Sequence, residues 1–250
     1  MGLLDQTIRI LTVFRQLGGW AALCRWRPRS ISSFNLMRGL KRCAPDFGTV
    51  IDGGANVGQF ARAAAETYPR AEVHSFEPLA AAISEFRRNL ADQPRVHLHE
   101  VALGAKDGKI TFYPNANSQS SSILPEAAGH GDRFVHDKQL TAIQVSVARL
   151  DTVFADRQLP RPILLKLDLQ GYELEALKGA MQLLKTTDYI LTETVFLKMY
   201  ENEPLFGELM DWLREAGFEF QEPLAFLSDV HERIIQMDAL FCRKDARGGP

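Results

Sequence analysis

Cysteine is scarce in this chain: only Cys24, Cys43 and Cys242 occur, an odd number and widely spaced. That excludes a disulfide framework and the paired spacing of a structural zinc site, and it suits a reducing compartment. Long apolar runs are also missing. None approaches the roughly 20 residues needed to span a bilayer. The first residues lack the charged start, apolar centre and small-residue cleavage site of a secretory leader, so the expected location is cytoplasmic. No repeat of solenoid period is present. Nor is there a strong net charge, although the formal −2 hides an asymmetry. Residues 1–45 hold eight Arg or Lys and one acid, Asp5, for +7, and the remainder carries −9. A nucleic-acid surface on the main body is thereby excluded. What remains, 250 residues with 46% hydrophobic and 24% charged, fits one large α/β domain.

That domain is organised around Val50-Ile51-Asp52-Gly53-Gly54-Ala55-Asn56-Val57-Gly58. Val50 and Ile51 read as the end of a buried strand, Gly53, Gly54 and Gly58 as a tight turn. Val57, Phe60, Ala61 and Ala64 then share one helical face. Strand, glycine turn and helix open a nucleotide-type cofactor site. The dinucleotide fingerprint fits poorly. Asn56 stands where its second glycine belongs, Gly58 comes one residue early, and a carboxylate at Asp52 would repel a pyrophosphate. Asp52 suits a positively charged ligand instead, and S-adenosylmethionine carries an ammonium and a sulfonium. Twenty-five residues on, Val73–Phe76 reads as a second strand ending at Glu77-Pro78, where an acid accepts hydrogen bonds from ribose hydroxyls.

The remaining chain alternates strands and helices. Helical spacing of Leu4, Ile8, Leu11, Phe14 and Leu17 marks residues 1–45 as a basic helical extension. It either caps the sheet or lies against anionic headgroups through Arg9, Arg15, Arg25, Arg27 and Arg29. Pro28 and Pro45 punctuate the link to a domain over 46–244, and 245–250 reads as a frayed tail. His97 and His99 alternate with apolar residues on an edge-like strand. They could be a metal pair, but no acid or cysteine completes a site, so they read as surface histidines. Asp107-Gly108 signals a hairpin. Asn115–Ser122 is too polar for a core and is either a flexible loop or a set of polar groups beside a ligand. Ile163–Asp168 is a central strand interrupted by Lys166, which needs a partner. Leu174, Leu177 and Met181 mark the following helix. Tyr189–Thr194 is the next strand, and Phe218–Phe220 with Ala239–Cys242 forms a hairpin across a long loop. The class is α/β with a doubly wound, mostly parallel sheet.

Several separated segments resemble the FkbM-type S-adenosylmethionine-dependent methyltransferases. They are Ile51–Gly58, Phe76-Glu77-Pro78, Val101–Gly104, Ser120–Ser122, Arg149-Leu150-Asp151, Leu165–Glu173, Leu177–Ala180, and Glu193-Thr194 with Leu197, Tyr200 and Glu201. The Lys-x-Asp-x-x-Gly-Tyr-Glu stretch from Lys166 is the most specific. Gly53 stands where the family usually has valine or isoleucine. The resemblance implies a Rossmann-like, class I methyltransferase fold with a seven-stranded sheet, its last strand antiparallel and helices on both faces. It implies methyl transfer from S-adenosyl-L-methionine to a hydroxyl of a sugar, glycan or secondary metabolite. By position, Asp52, Gly53, Gly54, Asn56 and Gly58 would surround the methionine part. Glu77 would bind the ribose, and Ala102 and Leu103 would lie near the adenine.

A hydroxyl nucleophile must lose a proton, so a base at the strand ends is useful. Asp168 is the first candidate, Glu193 the second and His136 the third. Asp168 could instead orient the cofactor or pair with Lys166, and Glu193 could cap or orient a loop. Tyr172 either lines the acceptor pocket or packs on the sheet. A Mg²⁺ held by Asp168 and Glu193 lacks a third acid in register, so no metal is assigned. The rival readings are an NAD-dependent sugar oxidoreductase, opposed by Asp52 and the missing glycine, and a non-catalytic scaffold of the same fold.

Overall fold

The computed structural model describes residues 30–44, 46–114, 122–124, 141–229 and 231–244. Its centre is a parallel strand trio. Thr49–Gly53 (β1) pairs with Glu72–Phe76 (β2) on one side and with Ile163–Leu167 (β7) on the other. Every residue of β1 and β7 is buried, which is why both read as nearly unbroken apolar runs. Val96–His99 (β3) extends the sheet beyond β2, and Tyr189–Val195 (β8) extends it beyond β7. A long hairpin of Phe218–Ser228 (β9) and Ile234–Arg243 (β10) completes it, with β10 antiparallel to β8. The order is β3-β2-β1-β7-β8-β10-β9, seven strands as expected. A smaller sheet of Ala102–Leu103 (β4), Gly108–Phe112 (β5) and Ile143–Ala148 (β6) lies apart from it.

Helices cover both faces, because the central strands β1 and β7 are buried on both sides. One face carries Ile31–Cys43 (α1), Gln59–Thr67 (α2) and Ala80–Asn89 (α3) over Val50, Leu164, Leu191 and Leu240. The other carries Leu150–Val153 (α4), Glu173–Lys178 (α5) and Phe206–Glu215 (α6) over Ile51, Leu165, Leu167, Ile190 and Ala239.

Three expectations change here. A domain boundary at residue 46 is too late: α1 begins at a Ser30 cap, whose hydroxyl accepts from the Ser33 N–H at 3.1 Å. It buries Leu36, Met37 and Leu40 in the core of the sheet domain. Residues 1–29, and with them any membrane-facing helix, lie outside the described residues, as does the tail 245–250. The final hairpin has strands of 11 and 10 residues, far longer than the two apolar triplets and quartets suggested. β9 accommodates Pro223 because it is the sheet edge, where a missing N–H costs no ladder bond. The helix after Gly171 stops at Lys178, and Met181 is left 47% exposed.

Candidate active site

The carboxyl ends of β1, β2, β7 and β8 converge on one region. At the end of β1 the chain turns sharply, and the N–H groups of Gly54 and Ala55 both donate to the Phe76 carbonyl, at 3.1 and 3.0 Å. Gly54 has φ +79° and its missing Cβ would lie 1.9 Å from the Asp168 carbonyl oxygen, so no other residue fits. Gly58, at φ +91°, caps α2. The Asn56 N–H donates to Glu77 Oε2 at 2.9 Å, and the Leu79 N–H donates to Glu77 Oε1 at 2.8 Å. Glu77 therefore ties the glycine turn to the tip of β2, with one lone pair on each oxygen still free to accept. Burial pushes its pKa up, partly offset by these two backbone donors.

Asp52 and Lys166 occupy adjacent register positions on β1 and β7 and point to the same face. Lys166 Nζ stands 3.0 Å from Asp52 Oδ1 and 3.7 Å from Asp168 Oδ2. It also donates to the carbonyls of Gly53 and Gly54 at 3.3 and 3.4 Å, and the Phe60 ring lies 5.2 Å below it. Desolvation opposes the Lys166 charge, but Asp52, Asp168 and Asp238 outweigh it and raise its pKa. Burial pushes Asp52 the same way, while Lys166 and Ser75 hold it down. The expectation that Asp52 meets a cationic ligand is therefore corrected. Its side chain is 0% exposed and its charge is matched within the protein by the lysine whose partner the sequence had left open.

The negative face belongs to the next row of the sheet. Glu193 on β8 is the register partner of Asp238 on β10, and Asp168 follows the β7 residue that pairs with Thr192. Gln170 binds this row together. Its Nε2 donates to Asp168 Oδ1 at 3.1 Å and to Glu193 Oε1 at 3.1 Å, and its Oε1 accepts from the Tyr200 hydroxyl at 2.9 Å. Its own carbonyl accepts from the Ser122 hydroxyl at 2.7 Å. Gln170 holds φ +53°, a left-handed conformation that a glutamine adopts only when its surroundings fix it. Burial, with Asp168 next, raises the Glu193 pKa well above the usual carboxylate range. Burial likewise pushes Glu173 up to about 7 while its Oε1 accepts from the Leu169 N–H at 2.7 Å.

A family profile, the methyltransferase FkbM domain, matches residues 52–220. The chain belongs to the FkbM methyltransferase family. It is 27% identical over 187 residues to the 2-O-methyltransferase NoeI of Sinorhizobium fredii, covering 72% of this chain and 77% of that protein. It is 28% identical over 209 residues to the 31-O-demethyl-FK506 methyltransferase FkbM of Streptomyces tacrolimicus, covering 73% and 78%. It is 25% identical over 170 residues to the hexuronic acid methyltransferase AglP of Haloferax volcanii, covering 67% and 65%. This FkbM-family chain is thus a methyltransferase, on a class I sheet.

The structure brings Asp52, Gly53, Gly54, Asn56, Gly58, Glu77, Asp168 and Glu193 to the same end of the sheet. At Gly53 a Cβ would meet Leu167 Cδ2 at 2.9 Å and Leu103 Cδ1 at 3.0 Å, so a side chain there would require those two leucine tips to shift. Ala102 and Leu103 are buried, so only their main chain can face a ligand. Tyr172 packs against the core of the small sheet. His136 lies outside the described residues, as do Ser120 and Ser121 of the serine cluster. His99 stacks on Phe76 with centroids 4.5 Å apart and its Nε2 is 3.2 Å from His74 Nδ1, while His97 pairs with Glu72 at 2.7 Å. Among the described residues no group of three or more His, Cys, Asp or Glu is arranged to hold a metal ion, and no helix is long and apolar enough to cross a membrane. Sequence reasoning missed the roles of Gln170, Tyr200 and Asp238. Gln170 stood inside the most specific motif without a role, and Asp238 was cut off by starting the last strand at Ala239.

Proposed function

We propose that this enzyme transfers the methyl group of S-adenosyl-L-methionine to a hydroxyl oxygen of a sugar, glycan or hydroxylated secondary metabolite. The observation that carries this reading is the juxtaposition of a Glu77-braced glycine turn with a strand-end row of carboxylates, on one side of a single sheet. The residues fit the cofactor. Gly54 leaves main chain, not side chain, at the crossing of the β1 and β7 ends. Glu77 keeps acceptor capacity for ribose hydroxyls, and the turn from Gly54 to Gly58 opens α2, whose N-terminus suits the methionine carboxylate. Asp168, at the strand end beside Lys166, offers a carboxylate toward the cofactor's positive charge. Ala102 and Leu103 offer their main chain to the adenine.

When bound, the cofactor supplies an already activated methyl group, so this chain's own contribution is largely placement. Asp168, held by Gln170 and Lys166, orients the acceptor hydroxyl, and the strand-end acids take its proton. Relatives whose names specify a position or substrate, a 2-O-methyltransferase, a 31-O-demethyl-FK506 methyltransferase and a hexuronic acid methyltransferase, support an acceptor hydroxyl on a sugar or secondary metabolite. Isothermal titration with S-adenosylhomocysteine, and transfer of labelled methyl from S-adenosylmethionine to a panel of glycosides, test the reading. Binding of the nucleoside with label in an alkali-stable ether is the expected result. Failure of both would refute it.

A further inference from the structure

The proposed reaction leaves a choice of proton acceptor, and the row of acids resolves it by what each is already doing. Both oxygens of Glu193 accept from the Gln170 amide, at 3.1 and 3.4 Å, and its side chain is buried. Burial, then Asp168, raise its carboxyl pKa well above the usual carboxylate range, and both of its oxygens are already engaged. Asp168 has one oxygen on Gln170 and the other facing Lys166. Asp238 differs: among the described residues its side chain has no hydrogen bond and no ion pair, yet it is only partly buried, so a bound molecule can reach it. It lies on the same face of the sheet as Asp52, Lys166 and Glu193, as the alternation of β10 requires: Leu240 of that strand joins Val50, Leu164 and Leu191 in one core. Its neighbour on β9 is Ala225, which brings no charge. The titratable groups around it are Asp168, Glu193 and Lys166, the last already matched to Asp52.

Resting on the hydroxyl-transfer reading above, we infer that Asp238 is the general base, accepting the acceptor's proton while Asp168 orients the same hydroxyl. The hydroxyl oxygen's lone pair forms the O–CH3 bond as the S–CH3 bond breaks and its electron pair returns to sulfur. The proton passes to the Asp238 carboxylate and thence to water. Burial, then Asp168, push the Asp238 carboxyl up to about 7 against the pull of Lys166, which matches a base working near neutrality. Asp238 also lies beyond the matched family stretch of residues 52–220, so the family pattern assigns it no role.

The test compares wild type with Asp238→Asn, Asp238→Glu and Asp168→Asn. Probes are labelled S-adenosylmethionine with methyl glucoside, N-acetylglucosamine and glucuronic acid, each from pH 5.5 to 9. Asp238→Asn is expected to lower kcat by about 10²-fold or more and to abolish the acidic limb of the pH profile. Asp238→Glu should keep a limb, shifted in pH, and Asp168→Asn should slow turnover but leave the limb where it is. S-Adenosylhomocysteine affinity by calorimetry should be unchanged in Asp238→Asn, which separates base from cofactor ligand. Independently of turnover, carboxyl NMR of the wild type with S-adenosylhomocysteine bound should show Asp238 titrating near neutrality. Asp238→Asn with wild-type kcat and an intact limb, or an Asp238 carboxyl fully ionised at pH 5, overturns the assignment. A wild type that binds S-adenosylhomocysteine but methylates no probe overturns the hydroxyl reading itself.

Discussion

Lys166→Met is the most informative single perturbation. It removes the ammonium from between Asp52, Asp168 and the carbonyls of Gly53 and Gly54, with almost no change in side-chain length. The Asp52 side chain is 0% exposed and the Lys166 side chain 8%, so water cannot take over the pairing. At 3.0 Å the gross attraction is about 5–6 kcal/mol at an effective dielectric of about 20. Breaking a buried pair from one side typically costs about 3–5 kcal/mol, because the surviving charge keeps its desolvation penalty. Asp52→Asn should cost less, about 1–3 kcal/mol, since Lys166 keeps two carbonyls and Asp168. The double variant should be more stable than Lys166→Met alone by about 1–2 kcal/mol, the signature of coupled neighbours. Urea denaturation reads all three. With a slope of about 3 kcal/mol per molar, Lys166→Met should bring the midpoint down by about 1–1.7 M. A loss below about 1 kcal/mol, or a double variant that merely adds the two single losses, refutes the claim that Asp52 is held as a carboxylate by this lysine.

Glu77→Ala should weaken S-adenosylhomocysteine binding by about 1.5–3 kcal/mol in calorimetry, because it strips the ribose acceptor and frees the Asn56 and Leu79 N–H groups; an unchanged affinity would remove Glu77 from the site. Asp168→Asn should leave the circular dichroism spectrum intact and slow methyl transfer, and a fully active variant would strike it from the reacting groups. Acid should weaken the fold through His74, whose pKa is pushed down to about 4 by burial and then by His99 and His97. The unfolded chain binds that proton near pH 6.5 and the folded one does not, so stability is lost as pH falls through this window and is recovered above it. His74→Phe, beside Phe154, should flatten the melting temperature between pH 4 and 6.5. An unaltered slope would show that another group carries the acid sensitivity.

Much of this was legible in the chain. The strands whose ends build the site are buried on both faces, so β1, β7 and β8 announce themselves as apolar runs. Gly54 and Glu77 were readable because a tight turn and a strand-tip acid need those residue types. Pairing between distant strands was not readable. Lys166 visibly lacked a partner, but Asp52 lies 114 residues away and meets it only through the β1–β7 register. Asp238 was obscured for a related reason. One acid in an edge-proximal strand looks like a strand terminus until register places it opposite Glu193. Leu174, Leu177 and Met181 carried a helical period past the real helix end, since Gly179 with Gly104 at its back breaks it.

The Ser122 hydroxyl has a consequence for any attempt to retarget this enzyme. It donates to the Gln170 carbonyl on one side and accepts from the Leu124 N–H on the other, mooring residues 122–124 to the residue whose side-chain amide clasps two carboxylates. This three-residue segment is therefore not an interchangeable module. Grafting its counterpart from a relative without a hydroxyl at position 122 would unfasten the proton-handling groups along with whatever selectivity was meant to be exchanged.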